Sequence, residues 1–556
     1  MLLGIDVGGT HTDAVIIDRG ELISAAKVET DQSNLIASID AVLEKILSSR
    51  PDQPISKINL STTLTTNSIV ENKLEEVGVL AVSGPGLAPE SFNHNLGTNF
   101  HLIEGSIDHR GSQQQALNET AAQNAVTDCK QNKLKVFAVV SKFSPRNPEI
   151  EQALAELVSA QSDFTTIGHR ISGRLNFPRR LATAYYNAAV WRRYNHFADA
   201  ITQSIKKHKL NAPLNILKAD GGTIDFENSR SHPIQTILSG PAASVMGIIA
   251  LSSITEDAII LDIGGTTTDI AIFADGAPLL EKEGVSFGGR ATSVRAIDTH
   301  SIGIGGDSAI TISTNDKLAV GPQRQGPPLA LDGDTPTLID ACNVKGLCSL
   351  GNCDNSFAGL KELAEKNQLT IIELADKALD LALTTICDEA KNLLEAINQR
   401  PVYTVKEVIH GKKITPQKLF VMGGPAAILA PLLEKVFNLE SEVPNNFAVA
   451  NAIGAALTKT TMEIELFADT GKKTMLIPNL GIKRTVSSSY SLNDAQQDGI
   501  NELLKYLKEN GHPEITDQDI SVVEAEAFNM VDDYAVGSKT IRVSCQIRPG
   551  LEEEIK

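Results

Sequence analysis

The sequence predicts an α/β fold built as two related lobes, on two observations. Short apolar runs alternate with amphipathic stretches of helical period through most of the chain, and strands alternating with helices give sheets covered by helices. Residues 6–16 (DVGGTHTDAVI) and 262–272 (DIGGTTTDIAI) also agree at Asp, Gly, Gly, Thr, Thr, Asp and the final Ile. A separation this long is no solenoid, whose period is ~20–50 residues. It places the same device once in each half, as two lobes sharing a cleft require.

The elements follow in order. Residues 2–8 (LLGIDVG) and 14–18 (AVIID) read as strands, and residues 35–47 repeat apolar positions at helical spacing. Further strands are expected at KINLST (57–62), VGVLAVS (77–83), KVFAVVS (135–141), LNILKAD (214–220), AIILDIG (258–264) and KLFVMGG (418–424). Helices are expected at 149–160, Ala182–Ala198 and, as one long element, Ala358–Ile397. RISGRLNFPRR (170–180), with Gly173 and Pro178, reads as a crossover between lobes. Residues 321–353, rich in Gly, Pro and Asp, read as a long surface excursion. After about residue 460 comes a helix near Asn493–Glu509 and two strand-like runs, SVVEAEAFNMV and TIRVSCQIR. The expected division is 1–175, 176–460 and a small α+β segment at 461–556.

Composition bounds the function. Across 556 residues, 50 Lys and Arg oppose 68 Asp and Glu for a net charge of −18, and 42% of residues are hydrophobic. That apolar content supports a sizeable core. The acidity opposes phosphate-backbone binding, so nucleic acid is not expected. The start MLLGIDVGG has no basic region, no apolar run approaches the ~18 residues of a spanning helix, and six scattered cysteines make no disulfide scaffold. A cytoplasmic protein with no membrane association is expected.

Each repeated loop is an apolar run, then Asp, a β-branched residue, Gly-Gly and Thr-x-Thr-Asp. Two glycines at a bend let backbone approach a ligand closely. The N–H groups of Gly8, Gly9, Gly264 and Gly265, with the hydroxyls of Thr10, Thr12, Thr266, Thr267 and Thr268, can donate to phosphate oxygens. Asp6 and Asp262 beside phosphate need a cation between, and hydrated Mg²⁺ suits oxygen donors. One Asp-Gly-Gly alone is an ordinary hairpin turn; two copies with the same hydroxyl and carboxylate offsets are not explained by turn chemistry. Neither a P-loop nor a dinucleotide GxGxxG motif occurs. A third glycine element, LFVMGGPAAILAPLLEKVF, runs from a strand through Gly423 and Gly424 into a helix and suits a base or ribose lying on backbone.

The order of these three elements resembles the superfamily of actin, sugar kinases and heat-shock chaperone ATPases. Within it, GIDVGGTHTD, TTLTTNSIVE, ILSGPAASVMG, LDIGGTTTDIAIF, IDTHSIGIGGDS and VMGGPAAILA with VANAIGAAL resemble the hydantoinase A and 5-oxoprolinase family over about residues 1–460. The resemblance implies a two-lobed actin/sugar-kinase-like, duplicated ribonuclease H-like fold. It further implies ATP and Mg²⁺, a small-molecule cyclic amide or related carbonyl substrate, and a partner subunit of the hydantoinase B type, with a homo-oligomer also open. Two departures concern the substrate: His11 stands where the family usually has Phe, and residues 304–308 read IGGDS where it usually has AGGGS. On this resemblance Asp6 and Asp262 hold Mg²⁺, the two loops clamp the β- and γ-phosphates, and Asp269 or Asp13 orients the attacking group. The same fold also serves nucleotide-switched regulators and small-molecule kinases, which stay open as alternatives.

Other candidates are less bound to the loops. Asp298, His300, Gly303, Gly305, Gly306 and Asp307 offer a base, a substrate clamp or a second divalent-metal site through Asp298 and His300, against a histidine that merely satisfies backbone. Asn67 and Glu71 are expected to reach the substrate from the first lobe. Cys342, Cys348 and Cys353 form C-x5-C-x4-C, which lacks a fourth zinc ligand and a CxxC pair, so reduced thiols are the default. Arg170, Arg174, Arg179, Arg180, Arg192 and Arg193 read as a solvated face paired with acidic neighbours, with an anionic-substrate surface as the alternative.

Overall fold

A computed structural model describes the chain except residues 32–33, 49–52, 88–95, 97–98, 282, 314–316, 323–324, 400–412, 533–534 and 556. Two six-stranded sheets carry the repeated loops. In the first, the strand Leu2–Val7 pairs antiparallel with His11–Asp18 and parallel with Lys57–Thr62. In the second, Ala258–Ile263 pairs antiparallel with Thr268–Ala274 and parallel with Lys418–Met422. The registers match as well: Asp6 stands opposite Asp13 and Val7 opposite Thr12, as Asp262 stands opposite Asp269 and Ile263 opposite Thr268. The repeat in sequence is thus a repeat in three dimensions, and the chain has the two-lobed α/β architecture that it predicted.

The first sheet continues through Leu214–Leu217 and Thr223–Asp225, which reach it from beyond the long helix Phe177–Lys207. That helix starts where Asn176 accepts a hydrogen bond from the Arg179 N–H and Pro178 occupies the first turn. A separate parallel sheet contains Val77–Val82 and Val136–Ser141, buried at every position. Such unbroken apolar runs are what strands covered on both faces require. The helix Leu35–Ser48 buries Ile39, Val42, Leu43 and Ile46, one stripe at helical spacing, against the first sheet. The helix Leu492–Glu509 packs on an antiparallel five-stranded sheet formed by residues 463–547.

The helices Ser239–Leu251 and Ala450–Leu457 pack on each other, and the second also lies on the strand Leu2–Val7. Their small residues let backbones touch: a Cβ on Gly4 would lie 2.1 Å from the Ala452 carbonyl oxygen. Asn59 of the first sheet donates to the carbonyls of Ala455, Ala456 and Thr458 at 2.8, 3.2 and 3.1 Å, closing the end of the second helix. This seam fixes the two loop-bearing sheets side by side.

Three expectations are corrected. Ala358–Ile397 is two helices, Cys353–Lys366 and Ile371–Asn398. Gln368 turns to φ 56°, and Thr370 and Glu373 form a reciprocal cap that starts the second helix. The stretch 321–353 is not all surface, because the helix Leu338–Val344 is buried along its whole length in the core of the second lobe. Arg180 is no part of a solvated face: it is 0% exposed, donating to the carbonyls of Ser141 and Arg174. Arg192 does pair with Glu75 and Asp163. No helix among the described residues is long and apolar enough to cross a membrane.

Candidate active site between two glycine hairpins

Each hairpin is closed by the same backbone bond, Gly8 N–H to the His11 carbonyl at 3.0 Å and Gly264 N–H to the Thr267 carbonyl at 2.8 Å. The two bends meet. A Cβ added to Gly265 would lie 3.2 Å from Thr10 Oγ1 and 2.8 Å from Asp307 Oδ2. Asp307 and Gly306 donate their N–H groups to the carbonyls of Gly265 and Gly264 at 2.6 and 3.0 Å, so residues 305–307 brace the second loop. Gly423 takes φ 90° where a Cβ would stand 2.6 Å from Asp262 Oδ1. At Gly424 a Cβ would meet nothing within 4 Å, which leaves open space beside backbone. The first hairpin thus meets the second at Gly265, and the third glycine element meets it at Asp262.

Four carboxylates gather there with one lysine. Ser61 donates to Asp6; Ser244 Oγ and Asn451 Nδ2 donate to Asp262 Oδ2 at 2.5 and 3.3 Å. Lys27 Nζ holds Asp13 at 2.7 Å, and Ser301 donates to Asp269. Burial pushes the Asp6 carboxyl up to about 7, and the charges of Asp13 and Asp262 add to it against the Ser61 hydrogen bond. Burial and then the Asp262 charge push Asp269 up to about 7 as well. Asp13 and Asp262 are raised too, chiefly by burial. Buried carboxylates that repel one another and bind protons too readily are short of positive charge. Donors of this kind are all oxygen, the chemistry that a hydrated Mg²⁺ accepts, and Asp6 and Asp262 are the carboxylates that could hold it.

The remaining candidates divide. Thr10 and Thr266 are half-buried and Thr267 exposed, whereas the Thr12 hydroxyl bonds Thr30 Oγ1 at 2.9 Å and the Thr268 hydroxyl donates to the Ile304 carbonyl at 2.6 Å. Those two hydroxyls brace the sheet. Asn67 and Glu71 line a small pocket with Gly8, Gly9, Thr30 and Lys73, which brings them beside the first loop. His300 sits opposite Ile270, with its Nε2 3.4 Å from Glu389 of the helix Ile371–Asn398; its neighbour Ser301 is the residue that reaches Asp269. Asp298, two residues before His300, is buried. No group of three or more His, Cys, Asp or Glu among the described residues is arranged to hold a metal ion. All six cysteines are free; Cys342 is buried and Cys348 Sγ donates to Asn343 Oδ1 at 3.1 Å.

Sequence reasoning missed Ser61, Ser244, Ser301, Asn451 and Lys27. The first four stand in or beside the quoted family strings, but a serine or asparagine on a strand or helix has no periodic signature. Lys27 lies on a third strand, Glu21–Glu29, and only the register opposite Asp13 makes it a partner.

The family described as hydantoinase/oxoprolinase matches residues 180–464, and the hydantoinase/oxoprolinase N-terminal region matches residues 2–162. The chain is 26% identical over 461 residues to the caprolactamase subunit alpha of Pseudomonas jessenii, covering 76% of this chain but 65% of that protein. It is 22% identical over 504 residues to an uncharacterized protein of Methanocaldococcus jannaschii, covering 82% and 72%. The chain thus spans about two thirds of the caprolactamase subunit's length. Among solved structures, nucleotide-free acetone carboxylase superposes with a TM-score of 0.74 at 16% identity over 100% of this chain and 88% of that one. The ATP-dependent caprolactamase of Pseudomonas jessenii superposes with 0.66 at 18% identity over 98% and 87%. These superpositions share the fold, and the sequence matches place the chain in the hydantoinase/oxoprolinase family.

Proposed function

We propose that this chain is an ATP-dependent hydrolase that activates a cyclic amide by phosphorylating its carbonyl oxygen. The observation that carries the reading is the pair of hairpins with matching registers whose bends meet at Gly265 and Thr10, flanked by Asp6 and Asp262. The Gly8 and Gly264 N–H groups close the hairpins and are not free for a ligand, so the expected phosphate donors reduce to the bend residues beyond them, of which Gly265 and Thr10 come together. Mg²⁺, held by Asp6 and Asp262 through water, would neutralise the phosphates.

An amide carbon is a poor electrophile because nitrogen donates into the carbonyl. Attack of the carbonyl oxygen on the γ-phosphorus forms a C–O–P bond as the bond to the ADP oxygen breaks. Water then adds to the carbon and the ring C–N bond opens with a proton passing to nitrogen, which leaves an acyl phosphate; a second water adds to the same carbon and expels phosphate with the former carbonyl oxygen. One ATP and two waters give ADP, phosphate and an amino acid. Of the two acids able to take the proton from water, Asp13 is tied to Lys27, and Asp269, raised by burial to about 7 and held by Ser301, is the better suited as base. Asn67 and Glu71, which line the small pocket beside the first loop, would contact the substrate from that lobe. The name of the caprolactamase relative, a subunit alpha, supports a second subunit as partner.

Phosphate release measured with 5-oxoproline, hydantoin, caprolactam, and acetone with bicarbonate tests this. Stimulation by a cyclic amide is expected; stimulation by the ketone alone moves the chain to another carbonyl class, and indifference to all four removes the hydrolase reading. Gly265→Ala tests the loop contact. Its Cβ crowds Thr10 and Asp307, at a cost of about 1–3 kcal/mol for an overpacked site, so the KM for ATP should rise about tenfold with little loss of fold. An unchanged KM would mean that nucleotide does not pass between the bends.

A further inference from the structure

A cavity of about 260 Å³, on the order of the smaller ligand sites, opens where the segment 170–174, the turn after Leu217, residues 293–295 and the C-terminal sheet meet. None of its lining residues belongs to the hairpins or to the Gly423 turn. Its wall carries both signs of charge. Lys218 pairs with Asp220 at 3.0 Å, and Arg295 pairs with Glu463. Arg170, whose guanidinium lies over Gly481, has no ion pair among the described residues.

Polar atoms without hydrogen bonds gather in the same wall. Ser293 Oγ, Arg295 Nε, Glu465 Oε1 and Asn479 Oδ1 are buried and make none among the described residues, although Glu465 Oε1 lies 3.6 Å from Arg174 Nε as an ion pair. A buried polar atom without its hydrogen bond is costly, so four around one space favour a polar occupant. The demand is mixed: Arg295 Nε can only donate, Glu465 Oε1 and Asn479 Oδ1 accept, and the hydroxyl does either. An anion alone would face Glu463 and Glu465, and a cation alone would face Arg170 and Arg295.

We propose that this cavity binds a small dipolar ion bearing both a carboxylate and an ammonium group, an amino acid in the chemical sense. Arg170 and Arg295 receive the carboxylate, and Glu465 and Asn479 accept from the ammonium. The opening of a cyclic amide yields such an ion, so the cavity would sense the product; that link, unlike the binding, rests on the hydrolase reading.

Calorimetric titration of the full chain without nucleotide is the test, using 6-aminohexanoate and glutamate against hexanoate and hexylamine. At least one amino acid should bind about tenfold or more tightly than either single-charge compound, as expected for a second charged hydrogen-bond set. Arg170→Gln, at an exposed position that folding does not need, should weaken it about tenfold, while Asp262→Asn should leave it unchanged. Binding of neither amino acid, equal binding of hexanoate or hexylamine, or no effect of Arg170→Gln overturns the proposal. Because no ATP is present, failure of the hydrolase reading would leave this result standing, and the reverse holds too.

Discussion

Asp6→Asn and Asp262→Asn are each expected to lower ATP turnover by about a thousandfold, the scale of removing a group that neutralises charge in the transition state. Each carboxylate ends the strand before a glycine bend, and each is oriented by neighbours, Ser61 for Asp6 and Ser244 with Asn451 for Asp262. Asn keeps the shape and the hydrogen bonds but removes the charge that holds a cation. Steady-state turnover in the two variants checks the first half of the expectation. Thermal melting without nucleotide checks the second. Since burial raises the Asp6 carboxyl to about 7, the folded state binds a proton that the unfolded chain releases near 4. Stability from this group is therefore complete below about 4 and lost as pH rises through about 7. At pH 8 Asp6→Asn should melt no lower than the wild type, and it should melt higher if no cation compensates the charge. A variant that melted much lower while retaining turnover would make Asp6 a structural residue.

Glu151→Ala is expected to destabilise the fold by about 3–5 kcal/mol, the cost of removing one partner from a buried charged group. Glu151 and Arg180 are 0% exposed and His169 is 2% exposed. Glu151 accepts from the Ser141 N–H at 2.7 Å and from the His169 N–H at 2.8 Å, and its carboxylate lies 2.6 Å from His169 Nδ1. Burial acts to raise its carboxyl, but the His169 hydrogen bond and charge, with Arg180, outweigh burial and hold it below the usual range. A depressed carboxyl gives stability that is present above the ordinary value and lost as pH falls through the folded one. The gap between wild type and Glu151→Ala in urea unfolding should therefore be widest near neutrality and narrow on acidification. A loss below about 1 kcal/mol, constant with pH, would show that Arg180 does not depend on this partner.

The same group marks where the sequence stopped being legible. The hairpins could be read because Asp, two glycines and two threonines at fixed offsets sit in apolar runs, and the pleat then dictates that Asp13 faces Asp6. The strands at 77–82 and 136–141 could be read because burial on both faces leaves no alternation to misjudge. Arg180 could not, because a run of arginines looks the same on a wet face as in a pocket, and the partner that decides the matter lies on another helix at Glu151. The helix Leu338–Val344 escaped for a related reason: Gly, Pro and Asp before it mark turns, and turn residues do not reveal what the following seven residues pack against. His300 stood in the right string, but strand alternation turns Ser301, not His300, toward Asp269. The charged cavity depends on pairings between distant segments, which no local pattern encodes; Lys27 is one hairpin away from Asp13, but the register that pairs them shifts between Ile16 and Ile17.

The central claim is that the carbonyl oxygen of the substrate becomes an oxygen of the released phosphate. A cyclic amide labelled with oxygen-18 at the carbonyl, turned over with unlabelled ATP in unlabelled water, tests it directly by mass spectrometry of the phosphate. One labelled oxygen per phosphate is the predicted result. Unlabelled phosphate, with the label retained entirely in the amino acid, would contradict transfer of the carbonyl oxygen to phosphate.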